Sequence, residues 1–435
     1  MKLDYESRVE KINMYKKTKL DNGLTLVTNH MPNMESMAIG IWIRTGSRNE
    51  NEKNSGISHF LEHMLFKGTP SRDCRKLKEE IEGRGGSLNG FTAEEVSCFL
   101  AKVSFKHGRI ALEVLSDMVL NASIDQKELE RERGVIIEEI KMYQDLPNHY
   151  VHDILAGIMW PGNSLGFSIA GTMDSVNSIL RNDIVEYKNS NYIPRNIVVV
   201  LCGNVDHDAM ESMLKKIFAV HAGIKTKSAE TFHNNQSRPR IKVMDKDTKQ
   251  THLCVGLHTF GKAHKDRYAL GLLHVILGAN MSSRLFENIR EKKGLAYEIG
   301  AEVKRYNETG AFVIHAGTEH KKAGKAIRCI LEELKEIKKN YVAAGELERA
   351  KEFFKVQLLM ALEDTIEHML WLGDYEASFN KLPETADIIK KIEAVTADDI
   401  RRVSQNIFNS SGLNVAMIGS LEDRERKEIE KNMIL

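Results

Sequence analysis

Alternating or continuous runs of apolar residues mark four stretches of the first half of the chain. Gly23–Thr28, Met37–Ile43 and Asn196–Cys202 are rich in β-branched residues, and Ser87–Thr92 follows a Gly-Gly turn and leads into a strand ending near Val103. This composition, with its two-residue period, is typical of strands. The pattern therefore predicts a sheet assembled from several short strands.

Between these strands the apolar residues recur at the 3.6-residue period of helices. One short amphipathic helix is predicted at Gly56–Gly68, capped by Asn54 or Ser55 and ended by Gly68. Other helices are predicted from Ser71 to Gly83, from about Ser104, from Gln126 to Gln144, from His149 to Met159 and from Asp174 to Asn189. Strands and helices together indicate an α+β fold with a largely antiparallel sheet and helices packed on one side.

The second half of the chain repeats landmarks of the first. Asp183-Ile184 before Gly203 recurs as Asp399-Ile400 before Gly419, at an offset of 216 residues. The run Glu128–Arg131 recurs as Glu346–Arg349, at an offset of 218 residues. Shared landmarks at nearly one spacing predict two homologous halves.

The length and a polar segment divide the chain. A chain of 435 residues is too long for one core and suits two or more domains. The polar run from Ala222 to Pro239 reads as a linker. We therefore predict a first half at residues 1–221, a linker at 222–240 and a second half at 241–435.

Charge and cysteine content exclude several classes of protein. With 62 basic and 61 acidic residues, the chain has no field to attract nucleic acid or an anionic membrane. The N-terminus lacks an apolar segment typical of a signal peptide, and no run is apolar enough to span a membrane. Five dispersed cysteines suggest neither disulfides nor a thiolate zinc site. We expect a soluble cytoplasmic protein.

The helix at Gly56–Gly68 carries the candidate chemistry. His59 and His63 are four residues apart, and Glu62 lies between them, so all three leave one face. Two neutral nitrogen ligands and an adjacent carboxylate suit a catalytic zinc, and the order H-x-x-E-H is that of the inverzincins. Chance is the alternative explanation, because a chain with 16 histidines can produce this pattern by accident.

A further ligand is expected from the acidic helix that runs from Glu128 to Glu139. Glu132 and Glu139 are two turns apart and share a face, whereas Glu138 points about 100° away from Glu139. Helical geometry alone leaves open the alternative of a solvated, charged helix.

His59-x-x-Glu62-His63 followed 76 residues later by Glu139 resembles the zinc signature of the pitrilysin (insulinase, M16) metallopeptidases. The similarity is to the short subfamily that includes the mitochondrial processing peptidase β-subunit and its bacterial relatives. It implies two similar halves facing each other across a cleft, with one Zn²⁺ per chain. By this resemblance His59, His63 and Glu139 bind zinc, Glu62 is the general base, and Glu132 is a supporting acidic residue.

The resemblance also implies that the second half contributes to the reaction. Arg290 and Tyr297, seven residues apart, match an Arg and a Tyr that family members bring to the substrate carbonyl. Both side chains can donate hydrogen bonds to an oxyanion. Without the resemblance, Arg290 would be interpreted as a solvated helix residue and Tyr297 as the first core residue of a strand.

Two further segments resemble substrate-binding parts of the family. One is similar to an edge strand to which an extended peptide adds, and it comprises Asn89, Gly90, Phe91 and Thr92. The family commonly has Ala at the position of Gly90, which puts the rigidity of this strand in doubt. Processing relatives bind a basic substrate residue with acidic side chains, for which Asp145 and Asp153 are candidates here; surface or cap aspartates are the alternative.

The sequence thus predicts a zinc endopeptidase that hydrolyses extended peptides or presequence-like segments, near basic residues, by metal-activated water. Bacterial relatives imply a homodimer. One alternative is a noncatalytic peptide-binding or scaffold subunit, and another is a catalytic subunit that requires a degenerate paralogue as its partner in a heterodimer.

Overall fold

The computed structural model describes residues 15–219, 229–431 and 433–435. These residues form two compact units, each assembled from three sequence segments. The first unit contains the described residues up to Ile140, those between Phe167 and Glu230, and Leu359–Ile388. The second contains the described residues of Lys141–Gly166, Thr231–Leu358 and Ile389–Leu435. Residues 222–228 of the predicted linker lie outside the described residues, and the predicted domain boundaries stay a prediction.

The regular elements follow one another with short connections. The strands are β1 Tyr15–Lys19, β2 Thr25–His30, β3 Ser36–Ile43, β4 Ser87–Thr92, β5 Ser97–Ser104, β6 Ile197–Gly203, β7 Arg240–Met244, β8 Thr251–Phe260, β9 Glu298–Arg305, β10 Thr309–Thr318 and β11 Leu413–Ile418. The α-helices are α1 Ile57–Leu65, α2 Cys74–Glu82, α3 Gly108–Asn121, α4 Gln126–Gln144, α5 Pro147–Met159, α6 Met173–Ser178, α7 Arg181–Asn191, α8 His207–Ile217, α9 Arg267–Leu277, α10 Ala323–Lys339, α11 Ala344–Ala361, α12 Thr365–Phe379, α13 Thr385–Glu393, α14 Ala397–Ile407 and α15 Asp423–Lys431. None of these helices is both long and apolar enough to cross a lipid bilayer.

The first unit is built on a six-stranded sheet in the order β1-β2-β6-β3-β5-β4. Only β2 and β6 run parallel among the paired strands described there, so the sheet is mostly antiparallel. Strand β3 buries Ile39 and Ile41 in the main core and Ala38 and Trp42 in a second cluster. Because successive side chains point to opposite faces, both faces of the sheet are covered, which explains the continuous apolar runs in the sequence.

Helices pack on one face of this sheet, as expected, and a single exchanged helix covers the other. The main cluster joins strand residues to Phe60 and Met64 of α1, Val114 of α3 and Ile136 of α4. On the opposite face the second cluster includes Met369 and Leu372 of α12, from the second half of the sequence. The sequence pattern did not predict this exchange.

Close packing and a buried ion pair attach α12 to the first sheet. A Cβ at Gly373 would lie 2.1 Å from Nε1 of Trp42, so only glycine allows this approach. One helical turn after Gly373 is Glu376, whose side chain is fully buried. One of its carboxylate oxygens lies 2.7 Å from Nζ of Lys17 and 3.5 Å from a guanidinium nitrogen of Arg44. A buried carboxylate needs such partners, so this pair fixes the position of the helix along the strands.

The second unit repeats the topology of the first. Its five-stranded sheet has the order β7-β11-β8-β10-β9, which matches β2-β6-β3-β5-β4, and its parallel pair β7-β11 matches β2-β6. Gly203 is the last residue of β6 and Gly419 directly follows β11, and their φ angles are positive, at 132° and 154°. Here α5, from the first half of the sequence, covers one face of the sheet. The predicted pair of homologous α+β halves is confirmed.

Two helix-interior glycines give a matched test of the α12 packing. Gly373→Ala is expected to destabilise the protein by roughly 1–3 kcal/mol, because the new methyl group would overlap Trp42. Gly134→Ala is expected to stabilise it by roughly 0.5–1 kcal/mol, since Gly134 is exposed in α4 and its Cβ would meet nothing within 4 Å. Urea midpoints measure both effects. Equal effects of the two substitutions would contradict the close approach of α12.

Candidate metal centre

Helix α1 divides its side chains between the core and a half-exposed face. Phe60, Leu61 and Met64 are buried in the main cluster, which fixes the rotation of the helix. His59 and His63 leave the opposite side, and their ring centroids are 4.7 Å apart. The core therefore presents both imidazoles in the direction that the sequence pattern predicts.

Glu139 of α4 reaches the same point from a second helix. Its Oε2 lies 3.8 Å from Nε2 of His59 and 3.6 Å from Nε2 of His63. One ligand atom from each residue lies within 4.8 Å of the others. Ligands about 2.0–2.1 Å from a tetrahedral zinc are themselves about 3.3 Å apart, so small side-chain rotations adapt this set to the ion. Glu138 is exposed, whereas Glu139 is half-buried against the histidines.

Glu132 and Lys67 support the histidine pair. The Glu132 side chain is 5% exposed. One of its carboxylate oxygens lies 3.1 Å from Nδ1 of His63, and the other lies 2.5 Å from Nζ of Lys67. A carboxylate on the outer nitrogen fixes the tautomer in which Nε2 is free to bind a metal. Lys67 follows His63 by four residues and neutralises the buried carboxylate, a partner that the sequence reasoning missed.

The electrostatics of the site favour a cation between the three side chains. Burial and the neighbouring His63 lower the pKa of His59 to about 4, so this imidazole is neutral at pH 7. Burial alone would lower the pKa of His63, but Glu139 and Glu132 together raise it. The neighbouring His63 lowers the pKa of Glu139. Carboxylates that hold a proton on one imidazole can hold a divalent cation in its place, so the residues fit the implied zinc.

Glu62 is held at the end of the edge strand β4. Its Oε2 accepts a hydrogen bond from Thr92 Oγ1 at 2.6 Å, and burial raises the pKa of its carboxyl group. A carboxylate with a raised pKa is suited to take and return a proton. Strand β4 forms the edge of the sheet, as the resemblance implied. A Cβ at Gly90 would lie 3.1 Å from the Phe66 ring, so that ring occupies the space beside the glycine.

The N-terminus of α1 is capped by a residue that the sequence reasoning did not identify. The predicted cap at Asn54 or Ser55 was wrong, because Gly56, with φ of 93°, is the N-cap residue and offers no side chain. Instead, the carboxylate of the buried Glu50 accepts hydrogen bonds from two backbone N–H groups, that of Gly56 at 2.8 Å and that of Ser58 at 2.9 Å. A carboxylate that binds these free donors also matches the positive end of the helix dipole.

A second group of ligand-type side chains lies at the start of α8. One possible ligand atom from each of His207, Asp208 and Glu211 lies within 4.8 Å of the other two. Both ring nitrogens of His207 are already hydrogen-bonded, Nδ1 to Thr28 at 2.8 Å and Nε2 to Thr18 at 2.9 Å. An imidazole with both nitrogens occupied cannot bind a metal without losing a partner, so this group is explained as a structural network.

The other predicted site residues belong to the second unit. Arg290 lies in a π-helical turn, with its guanidinium 4.5 Å from the Phe286 ring centroid. Tyr297 is 60% exposed just before β9, so the core position considered for it was wrong. Asp145 contacts Lys246 Nζ at 2.8 Å. Asp153 lines a cavity of about 330 Å³. Their roles toward substrate stay predictions.

Comparison with known proteins defines the class. Residues 25–173 match the family model of insulinase (peptidase family M16), and residues 178–354 match that of the peptidase M16 inactive domain. The metal centre and Glu62 lie in the first of these regions. Together with the relatives described next, these matches show that the chain belongs to the M16 peptidase family.

Curated relatives extend over nearly the whole chain. An uncharacterized zinc protease of Bacillus subtilis, YmxG, is 35% identical over 91% of this chain and 96% of its own length. Another uncharacterized zinc protease, SCO5738 of Streptomyces coelicolor, is 31% identical over 96% of this chain and 92% of its own length. A protease from Helicobacter pylori, at 23% identity, shares the fold with a TM-score of 0.88 over 93% of this chain and 99% of its own.

The assignment of Glu139 as a ligand can be tested against its neighbour. Glu139→Gln is expected to lower zinc affinity at least about 100-fold, because an amide is a poor substitute for the anionic oxygen. Glu138→Gln removes the same charge from the adjacent, exposed position and is the matched control. Competition with a fluorescent chelator measures both affinities. An equal loss in the two variants would contradict the assignment.

The capping carboxylate gives a pH-dependent prediction. Burial raises the pKa of Glu50 to about 7, so the folded protein retains a proton that the unfolded chain releases above pH 4.5. As the pH rises from 4.5 to 7, the free energy of unfolding of the wild type should therefore fall by roughly 3 kcal/mol more than that of Glu50→Gln. Urea midpoints of the chelator-treated proteins across this range test the difference. The exposed Glu52→Gln is the control, and a pH-independent difference for Glu50→Gln would refute the assignment.

Proposed function

We propose that the chain is a zinc-dependent endopeptidase that hydrolyses extended peptides, including presequence-like segments. One observation carries the proposal: ligand atoms of His59, His63 and Glu139 lie close together, and Glu62, on the helix of the two histidines, contacts the edge strand β4. Membership of the M16 family and relatives named zinc proteases support the same chemistry.

Each residue has a defined part in the proposed reaction. His59, His63 and Glu139 would hold Zn²⁺, which when bound supplies the Lewis acidity for peptide hydrolysis. Glu62 removes a proton from the attacking water and returns it to the leaving amine nitrogen. Glu132 keeps His63 in the tautomer that leaves Nε2 available.

The sheet edge suits a peptide in extended conformation. Among the described strands, β4 pairs only with β5 and ends the sheet, so a further strand can add at its outer side. Main-chain pairing of this kind binds peptides with little demand on their sequence. We assign this role to the backbone of Asn89, Gly90, Phe91 and Thr92.

The second unit supplies the remaining proposed contacts. Arg290 and Tyr297 would donate hydrogen bonds to the oxyanion of the tetrahedral intermediate. Asp145 and Asp153 would bind a basic substrate side chain, which gives a preference for cleavage near basic residues. We further propose a cytoplasmic homodimer. The family name "inactive domain" falls on residues 178–354, outside the ligand set, and so does not favour a noncatalytic scaffold.

The base is tested by Glu62→Gln. This variant should retain zinc, since Glu62 is not in the ligand set, and lose at least about 100-fold in kcat because the amide cannot accept the proton. Zinc content by mass spectrometry and cleavage of quenched fluorescent peptides with basic residues are the measurements.

Glu52→Gln, an exposed change outside the site, is the control for this experiment. Hydrolysis at the wild-type rate by the Glu62 variant would refute the assigned base. A zinc-loaded wild type that cleaves none of the peptides would favour the scaffold function.

A further inference from the structure

Thr92 contacts the proposed base directly, although the sequence assigned it only to substrate binding. Its hydroxyl donates to Oε2 of Glu62 at 2.6 Å, a short distance typical of a hydroxyl bonded to an ionised carboxylate. Among the described residues, no other side chain donates a hydrogen bond to the Glu62 carboxylate. One oxygen of the base is thus held, and the other, Oε1, is left for the proton transfer.

The position of this hydroxyl is fixed by the fold. Thr92 is the last residue of β4 and pairs with Ser97 of β5, which fixes its backbone. The β-branched side chain of threonine restricts rotation about χ1. Glu62 has three rotatable bonds and lies on a helix, so without a partner its carboxylate can adopt several rotamers. The contact therefore joins a flexible acid to a rigid strand end.

We infer that Thr92 is a positioning residue, whose hydroxyl fixes the rotamer of Glu62 in which the free oxygen faces the reacting water. This inference rests on the proposed function. It separates two contributions of one residue: the backbone of Thr92 belongs to the edge that pairs with the peptide, and its side chain acts through the base. Loss of the hydroxyl should then lower kcat and leave KM nearly unchanged, because peptide binding uses the backbone.

The chain offers a matched control on the opposite edge of the same sheet. Thr18 lies in β1, and its hydroxyl also donates to a glutamate, Glu211, at 3.1 Å. Valine at either position keeps the β-branched shape and removes one hydroxyl that donates to a carboxylate. Thr18→Val therefore reproduces the general effect of the substitution on a sheet edge, together with the loss of a contact to His207, and only Thr92→Val affects the proposed base.

The experiment measures kcat and KM of the zinc-loaded wild type, Thr92→Val, Thr92→Ser and Thr18→Val on one peptide, with zinc content and urea midpoints. We expect kcat to fall about 10- to 100-fold in Thr92→Val, with KM within about twofold and zinc content unchanged. Thr92→Ser retains the hydroxyl and should remain within about threefold of wild type, as should Thr18→Val. An unchanged kcat in Thr92→Val, a loss confined to KM, or an equal loss in Thr92→Ser would overturn the inference.

Crystal structures of wild type and Thr92→Val test the inference without relying on activity. We expect one ordered Glu62 rotamer in the wild type and a displaced or multiple rotamer in the variant. The same single rotamer in both would overturn the positioning role even if the enzyme is active. A zinc-loaded wild type that cleaves no peptide would instead refute the proposed function, while an altered rotamer would still support the contact.

Discussion

The whole arrangement depends on the approach of one carboxylate to two imidazoles. Glu139 comes from α4 and the histidines from α1, and both helices bury their other faces in one cluster that includes Phe60 and Ile136. Packing of that core thus sets the distances of 3.6 and 3.8 Å between ligand atoms. Bringing charged and polar groups so close in a half-buried place is costly unless a cation or protons balance them.

The supporting contacts reduce that cost and remove alternative geometries. Lys67 balances the charge of Glu132, which in turn orients His63, and Glu50 accepts two backbone N–H groups at the buried N-terminus of α1. Two of these contacts join α1 and the residues after it to Glu132 of α4, and the third joins the start of α1 to Glu50 in the preceding segment. A helix held at its N-terminus, along its buried face and beyond its C-terminus can present His59, Glu62 and His63 with little freedom, as catalysis requires.

Local features of this site could be read from the sequence, and the non-local ones could not. Residues four or seven apart in a helix share a face. The structure confirms this for His59 and His63 and for Glu132 and Glu139. Choosing Glu139 over Glu138 needed the family resemblance as well. Nothing in the pattern around Glu50 indicates that it caps a helix that begins at Ile57, because that contact depends on the fold of an intervening loop.

The same limit applies to the fold. The repeated landmarks predicted two similar halves, and the matching strand orders confirm them. The buried face of α12 mixes Met369 and Leu372 with the polar His368 and Glu376, so its sequence pattern does not show that the helix packs on the sheet of the first unit. That choice is made by the fit of Gly373 against Trp42 and by the pairing of Glu376 with Lys17, which are contacts between distant parts of the sequence.

Anomalous diffraction at the zinc edge, from crystals of the zinc-loaded protein, would locate the bound ion. We predict one strong peak per chain, bonded to Nε2 of His59, Nε2 of His63 and a carboxylate oxygen of Glu139. A peak at His207 and Glu211 instead, or zinc bound with Glu139 turned away from both imidazoles, would contradict it.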